Sequence, residues 1–159
     1  MDWALEGLMA LRAILAALAG GLIGWERERH GREAGIRTYA AVSLGAAVFG
    51  LISSHVVGSP DPMRVAAQVV SGVGFLGAGV ILREQGRISG LTTAATIWAT
   101  ASIGLAIAYG MYVLGLLTAL IIVGLLLAHH LPGWHRIGPN HAHHQQREAG
   151  GSGRGGGHG

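Results

Sequence analysis

Five stretches of near-unbroken apolar residues dominate this chain, and each is long enough to matter. A helix needs about 20 apolar residues to cross a hydrocarbon core about 30 Å thick at about 1.5 Å of rise per residue. Leu5 to Gly24, Thr38 to Val57, Val65 to Leu82, Leu91 to Ala108 and Met111 to Ala128 all approach that length. Only Arg12 places a charge well inside one of them. A water-soluble domain carries about a quarter charged residues, whereas this one has 12% in 159 residues. The pattern excludes a disordered chain or an ordinary soluble enzyme and predicts an all-α membrane protein with five transmembrane helices. With no cysteine, a disulfide scaffold is excluded and the redox compartment is left open.

The first stretch lacks the basic leader of a cleaved signal, since it opens with Asp2 and Glu6, so it is expected to remain as a helix. Orientation follows from the cations, all eleven of which are Arg. Arg27, Arg29, Arg32 and Arg37 follow the first span, Arg83 and Arg87 the third, and Arg136, Arg147 and Arg154 the fifth. Only Arg12 and Arg64 belong to the opposite side. Because Arg is retained in the cytoplasm, the N-terminus is expected outside and the C-terminus in the cytoplasm. The same distribution assigns the basic charge to topology, not to nucleic acid. Residues 1–130 form the predicted transmembrane domain. Residues 131–159, rich in Gly, His and Arg, are expected to be a disordered cytoplasmic tail. His141, His143 and His144 offer imidazoles to a transition metal, but a flexible run has no fixed geometry, and no metal site is assigned.

Gly72-Val73-Gly74-Phe75-Leu76-Gly77 fits G-x-G-x-x-G. A dinucleotide site needs that motif between a strand and a helix, with an acid about 20 residues on. Inside an apolar span it is no cofactor site, and no cofactor is expected. Gly72, Gly74, Gly77 and Gly79, with Gly20 and Gly24 in the first span, instead read as helix-packing positions, because helix association in lipid depends on close approach. Small pairs at spacing four also mark the fourth span. Helices one, three and four are therefore expected at the centre, with helix five facing lipid. Asp61 in Ser59-Pro60-Asp61-Pro62 is expected to cap the third helix.

The charged and hydroxyl groups supply the candidate functional residues. Arg12 is costly at membrane depth. It either snorkels to the outer headgroups or is a buried cation paired with Asp61, Glu6 or Gln68. In the loop after the first span, Glu28 with Arg32 and Arg29 with Glu33 have i,i+4 spacing, in a collar that suits solvent or lipid headgroups. Glu26 lies one residue beyond the apolar run, and Arg37 is its expected partner. Thr92, Thr96 and Thr100 form a stripe with Thr93 beside it. Back-bonding to the preceding turn and helix-helix contact account for the stripe; a polar lining for a small cation or proton is the alternative. There is no H-E-x-x-H, no G-x-S-x-G and no nucleophilic cysteine, so no catalytic residues are assigned and no enzyme is expected.

Four ordered blocks carry a family resemblance. Gly20-Gly21-Leu22-Ile23-Gly24-Trp25-Glu26-Arg27-Glu28, Ala34-Gly35-Ile36-Arg37-Thr38, Gly74-Phe75-Leu76-Gly77-Ala78-Gly79-Val80-Ile81 and Gly90-Leu91-Thr92-Thr93-Ala94-Ala95-Thr96-Ile97-Trp98 together resemble the MgtC/SapB family of bacterial membrane proteins. Arg12 is also similar to the family's pattern. The resemblance implies a five-helix domain in the bacterial inner membrane. It also implies a link to magnesium limitation, survival in macrophages or acid stress. It implies action through other membrane proteins, the ATP synthase among them, although many relatives carry the label of magnesium transporter. Members of the MgtC type have a C-terminal ACT-like domain where this chain has its Gly/His/Arg tail. They also have Asn and Cys where Thr92 and Ala99 stand here, so the chain looks closer to the short SapB-like form. The expected function is a regulatory or interaction protein of the membrane, which contacts the bilayer and other inner-membrane proteins or itself. The alternative is a small-cation transporter for magnesium or protons. Arg12, Glu26, Arg37, Thr38, Thr92 and Thr93 are its candidate functional side chains.

Overall fold

The computed structural model describes residues 3–55, 61, 63–84 and 87–128. Five helices account for most of them: α1 (Trp3–Arg29), α2 (Ile36–His55), α3 (Met63–Val80), α4 (Leu91–Ala108) and α5 (Tyr112–Ala128). The all-helical expectation holds, apart from one short hairpin between α3 and α4. There β1 (Leu82–Glu84) pairs antiparallel with β2 (Arg87–Ser89), with Leu82 opposite Ser89 and Glu84 opposite Arg87. Among the described residues, α1 to α4 are each long and apolar enough to cross a membrane. The fifth helix is apolar over 17 residues.

Glycine and carboxylate chemistry sets the helix ends. At the end of α1, Gly31 has φ of 65°. The Gly31 N–H donates to Glu28 O at 3.0 Å and the Arg32 N–H to Arg27 O at 3.1 Å. That is the double closure of a Schellman motif, which needs a residue without Cβ strain at its left-handed position. Gly110 ends α4 in the same way, with φ of 78° and bonds from its own N–H to Ile107 O and from Met111 N–H to Ala106 O. Helix starts take acids. Asp61 Oδ1 accepts from the Met63 N–H at 2.9 Å, the capping role expected of it. Glu28 Oε2 accepts from the Ile36 N–H at 3.0 Å and so opens α2. This use of Glu28, and the termination of α1 at Arg29, remove the helical register that the Glu28–Arg32 and Arg29–Glu33 pairs require. Neither pair forms. Arg29 instead lies over the Trp25 ring, 4.5 Å from its centroid.

The packed centre differs from the expectation. It consists of α1, α2 and α4, with α3 to one side. More than half of α4 is buried, whereas α3 buries only Val73 and Gly77. The reason lies in the small residues of α2. Gly20 of α1 sits against Tyr39 O and the Ser43 side chain, and Gly104 of α4 against Ser43 O, where a Cβ would collide with backbone. A Cβ on Gly24 would lie 2.7 Å from Gly35 O and Ile36 Cα, and one on Gly50 2.9 Å from Ala108 Cβ. Gly77 makes ordinary contact with Ala94 at 3.6 Å. A Cβ on Gly72, Gly74 or Gly79 would meet nothing within 4 Å among the described residues, so these glycines are not needed for close helix approach there. The buried residues of α5 are Gly115, Ala119, Ile122 and Leu126, a single stripe that leaves its other faces exposed.

Candidate functional site

Extending the small-residue stripe of α1 locates the polar centre of the molecule. Ala16, Gly20 and Ile23 are buried on the face that meets α2 and α4, and the same face continues to Arg27. On α2 the corresponding face carries Tyr39 and Ser43, and on α4 it carries Thr93, Thr96 and Thr100. All are buried. The cluster therefore lies where three helices cross, at the end of the bundle that holds the α1–α2 turn.

Its hydrogen bonds run across the helices. A terminal guanidinium N–H of Arg27, a residue only 5% exposed, donates to Thr93 Oγ1 at 3.0 Å. Tyr39 OH and Thr96 Oγ1 are 2.5 Å apart. The Thr96 hydroxyl has backbone acceptors one turn back, Thr92 O at 2.9 Å and Thr93 O at 3.0 Å. Its single proton goes there, so Tyr39 donates to Thr96. Thr100 in turn donates to Thr96 O at 2.7 Å. Back-bonding, as expected, accounts for most of the threonine stripe. Arg27 and Glu26 also act electrostatically on Tyr39.

Glu26 is 6% exposed, and its partner is His30, not Arg37. His30 Nδ1 lies 3.0 Å from Glu26 Oε1 and 2.8 Å from Glu26 O. The pairing is local because residues four apart on a helix are neighbours, whereas Arg37 projects from the exposed start of α2. Among the described residues, three buried polar atoms have no partner: Glu26 Oε2, Arg27 Nε and Ser43 Oγ.

The proposed buried partners of Arg12 are likewise replaced. Arg12 Nε donates to Tyr112 OH at 2.8 Å and a terminal N–H to Ala108 O at 3.0 Å, with the guanidinium 5.7 Å from the Tyr112 ring centroid. None of Asp61, Glu6 and Gln68 pairs with it. A cation on the last carbonyls of α4 is favoured by the helix dipole and satisfies an otherwise orphaned acceptor. The two Arg contacts also fix helix direction. Arg12 meets Ala108 and Arg27 meets Thr93, so α1 and α4 are antiparallel with equal separations, a rise of about 22 Å on each.

Of the sequence-derived candidates, Glu26 and Thr93 enter the buried cluster. Arg37, Thr38 and Thr92 are exposed, so Glu26, Arg37 and Thr92 line no common cleft. Arg27, Tyr39 and Ser43 are not among the sequence-derived candidates, and Thr96, read there as part of the threonine stripe, joins the cluster. Periodicity from Gly20 and Gly24 was the available signal for Arg27. His141, His143 and His144 lie outside the described residues. Among those described, no three His, Asp or Glu come together as metal ligands.

An all-helical bundle with long apolar helices, a buried Arg-centred polar cluster and a basic first turn defines an integral membrane protein. A model of the MgtC family matches residues 13–131, and the chain belongs to that family. It is 49% identical over 114 residues to "Putative magnesium transporter YhiD" of Escherichia coli K12, which covers 67% of this chain and 53% of that protein. It is 51% identical over 114 residues to the protein MgtC of Salmonella typhimurium, 71% of this chain and 48% of that one. With the protein MgtC of Brucella abortus it shares 52% over 96 residues, 60% and 40% of the two chains. The chain thus spans about half the length of these curated relatives. No solved structure matches it.

Proposed function

We propose that this chain is a five-span protein of the bacterial inner membrane, with its N-terminus outside, that acts through contact with other membrane proteins under magnesium limitation or acid stress. One observation carries this reading. The buried carboxylate of the polar cluster, Glu26, has His30 on one oxygen and the buried Arg27 guanidinium next along the chain. Magnesium requires an oxygen cage, usually with one or two carboxylates. A single buried carboxylate that already meets His30 supplies too few oxygens for that cage. The Arg27–Thr93 and Tyr39–Thr96 bonds hold α1 and α2 to α4, which suits a rigid scaffold that presents its outer faces.

Ion transport is the second reading, favoured by Glu26 Oε2 and Arg27 Nε, which are buried without partners. Such atoms are costly unless a proton or ligand visits them. The magnesium-transporter name of YhiD points the same way. Proteoliposomes loaded with magnesium-sensitive or pH-sensitive dye separate the two. The expected result is no flux above protein-free vesicles, together with restored growth at limiting magnesium when the chain is returned to cells lacking it. Flux that Glu26→Gln abolishes overturns the contact reading.

A further inference from the structure

An apolar groove of about 530 Å³ runs between α2 and α3. Ala41, Gly45 and Phe49 form one wall, and Gln68, Gly72 and Leu76 belong to the other. The floor is open because of two glycines. Among the described residues, no neighbouring helix places an atom within 4 Å of where a Cβ on Gly45 or Gly72 would stand. The groove rises about 12 Å from Ala41 to Phe49.

Continuing the face of Ala41, Gly45 and Phe49 one turn back along α2 reaches Arg37, since residues four apart share a helix face. Arg37 is exposed, and no hydrogen bond or ion pair holds it among the described residues. Side chains near a helix start lean toward that start, which carries the guanidinium away from the apolar groove and toward the headgroup region. Thr38, also exposed, adds a hydroxyl beside it. Glu28, the acid at this end, accepts from the Ile36 N–H and makes no ion pair with Arg37.

We propose that the α2–α3 groove is a binding site for a phospholipid with an anionic headgroup. One acyl chain lies along Gly45 and Gly72, and the phosphate is held at Arg37. The volume suits it, as ligand sites commonly measure about 300–1,000 Å³. The charge pattern selects the occupant. An apolar trough whose α2 face continues to an exposed guanidinium with no ion-pair partner among the described residues matches an amphiphile with a negative head. A packed helix from another protein offers no such anion, and a zwitterionic lipid offers no net charge.

The test is native mass spectrometry of the full chain released from nanodiscs containing equal phosphatidylglycerol and phosphatidylcholine. The expected result is preferential retention of phosphatidylglycerol, reduced about fivefold relative to phosphatidylcholine by Arg37→Gln. Gly45→Leu with Gly72→Leu fills open space without touching the packed core and is expected to remove the retained lipid of either kind. An unchanged phosphatidylglycerol preference in Arg37→Gln overturns the headgroup assignment. Unchanged retention in the glycine double variant overturns the groove. A dimer in the wild type that the glycine variant dissociates identifies a second copy as the occupant and overturns the lipid. Dye-flux and growth assays are independent of all these readouts, so failure of the lipid site and failure of the proposed function are distinguishable.

Discussion

Ser43 is fully buried, and its hydroxyl finds no partner. A buried unsatisfied polar group costs about 1–3 kcal/mol. Ser43→Ala keeps the Cβ that Gly20 accommodates and deletes the orphan oxygen. It is expected to stabilise the bundle by about 1 kcal/mol in a reversible SDS-unfolding titration. A destabilised variant shows instead that the hydroxyl has a partner. Thr93 gives the opposite sign. Thr93→Val keeps the shape and deletes the acceptor of a buried guanidinium N–H, a bond of the charged type worth about 1.5–3 kcal/mol. The loss expected in the same titration is of that size. In a cycle with Arg27→Leu the two losses are expected to be far from additive, because both remove one interaction. These two residues also show what was readable beforehand. Glu26 and Thr93 were visible as polar groups at the edges of apolar runs. Arg27 was hidden among four Arg in the same turn. What distinguishes it is the continuation of the Gly20 and Ile23 face, a three-dimensional property that only helical phase can supply. Arg37, expected from its position at the entrance to the second span, loses to His30 because a helix brings i and i+4 together whereas a turn intervenes before Arg37.

At the scale of helices, glycines divide by what lies opposite them. Gly24 faces the backbone of Gly35 and Ile36, and neither can yield. Gly24→Ala is expected to cost at least about 1–3 kcal/mol, the usual cost of overpacking. Gly74 faces open space, and Gly74→Ala is expected to gain about 0.5–1 kcal/mol from helix propensity alone. Thermal aggregation in detergent, read for both variants, checks the sign difference. If both destabilise equally, Gly74 has a partner outside this chain. The glycine run of α3 was therefore misread as the bundle's interior. Its density was real, but density does not say which neighbour faces it, and the crowded contacts fell on α2, whose Ala and Ser carried a weaker signal. The helix limits follow the apolar runs to within a few residues, and Gly31 and Gly110 punctuate two of them. Arg12 belongs to this scale as well. It ties α1 to the α4–α5 corner through Ala108 O and Tyr112 OH. Tyr112→Phe removes one of those ties and is expected to accelerate amide hydrogen exchange at residues 111–115 severalfold, with the Arg27 end unaffected. Equal protection in both proteins shows that the corner is held by Gly110 and packing alone.

For the whole molecule, the testable property is orientation. Antiparallel α1 and α4, fixed at one end by Arg27–Thr93 and at the other by Arg12–Ala108, give the bundle two distinct ends. The Arg27 end carries the exposed Arg29, Arg32 and Arg37 and the turn to α4 that holds Arg83 and Arg87. The Arg12 end has a three-residue connection, Tyr109 to Met111, and two Arg: Arg12, which is bonded to a carbonyl, and Arg64 at the start of α3. Among the described residues, six Arg belong to the first end: Arg27, Arg29, Arg32, Arg37, Arg83 and Arg87. Arg in short connections resists translocation, so this end is expected in the cytoplasm. Alkaline phosphatase fused after Gly110 is expected to be active, and a fluorescent protein fused after Ala128 is expected to fluoresce. Changing Arg29, Arg32 and Arg37 together to Gln removes three of the retained charges. It is expected to produce a mixed population, in which some phosphatase activity transfers to the Ala128 fusion. Arg12→Gln weakens the opposing side and is expected to leave the orientation intact. A phosphatase that is active only after Ala128 in the unaltered chain reverses the assignment. It also moves the Glu26–Arg27 cluster and the Arg37 end of the lipid groove to the outer face, where the headgroup supplying the phosphate comes from the other leaflet.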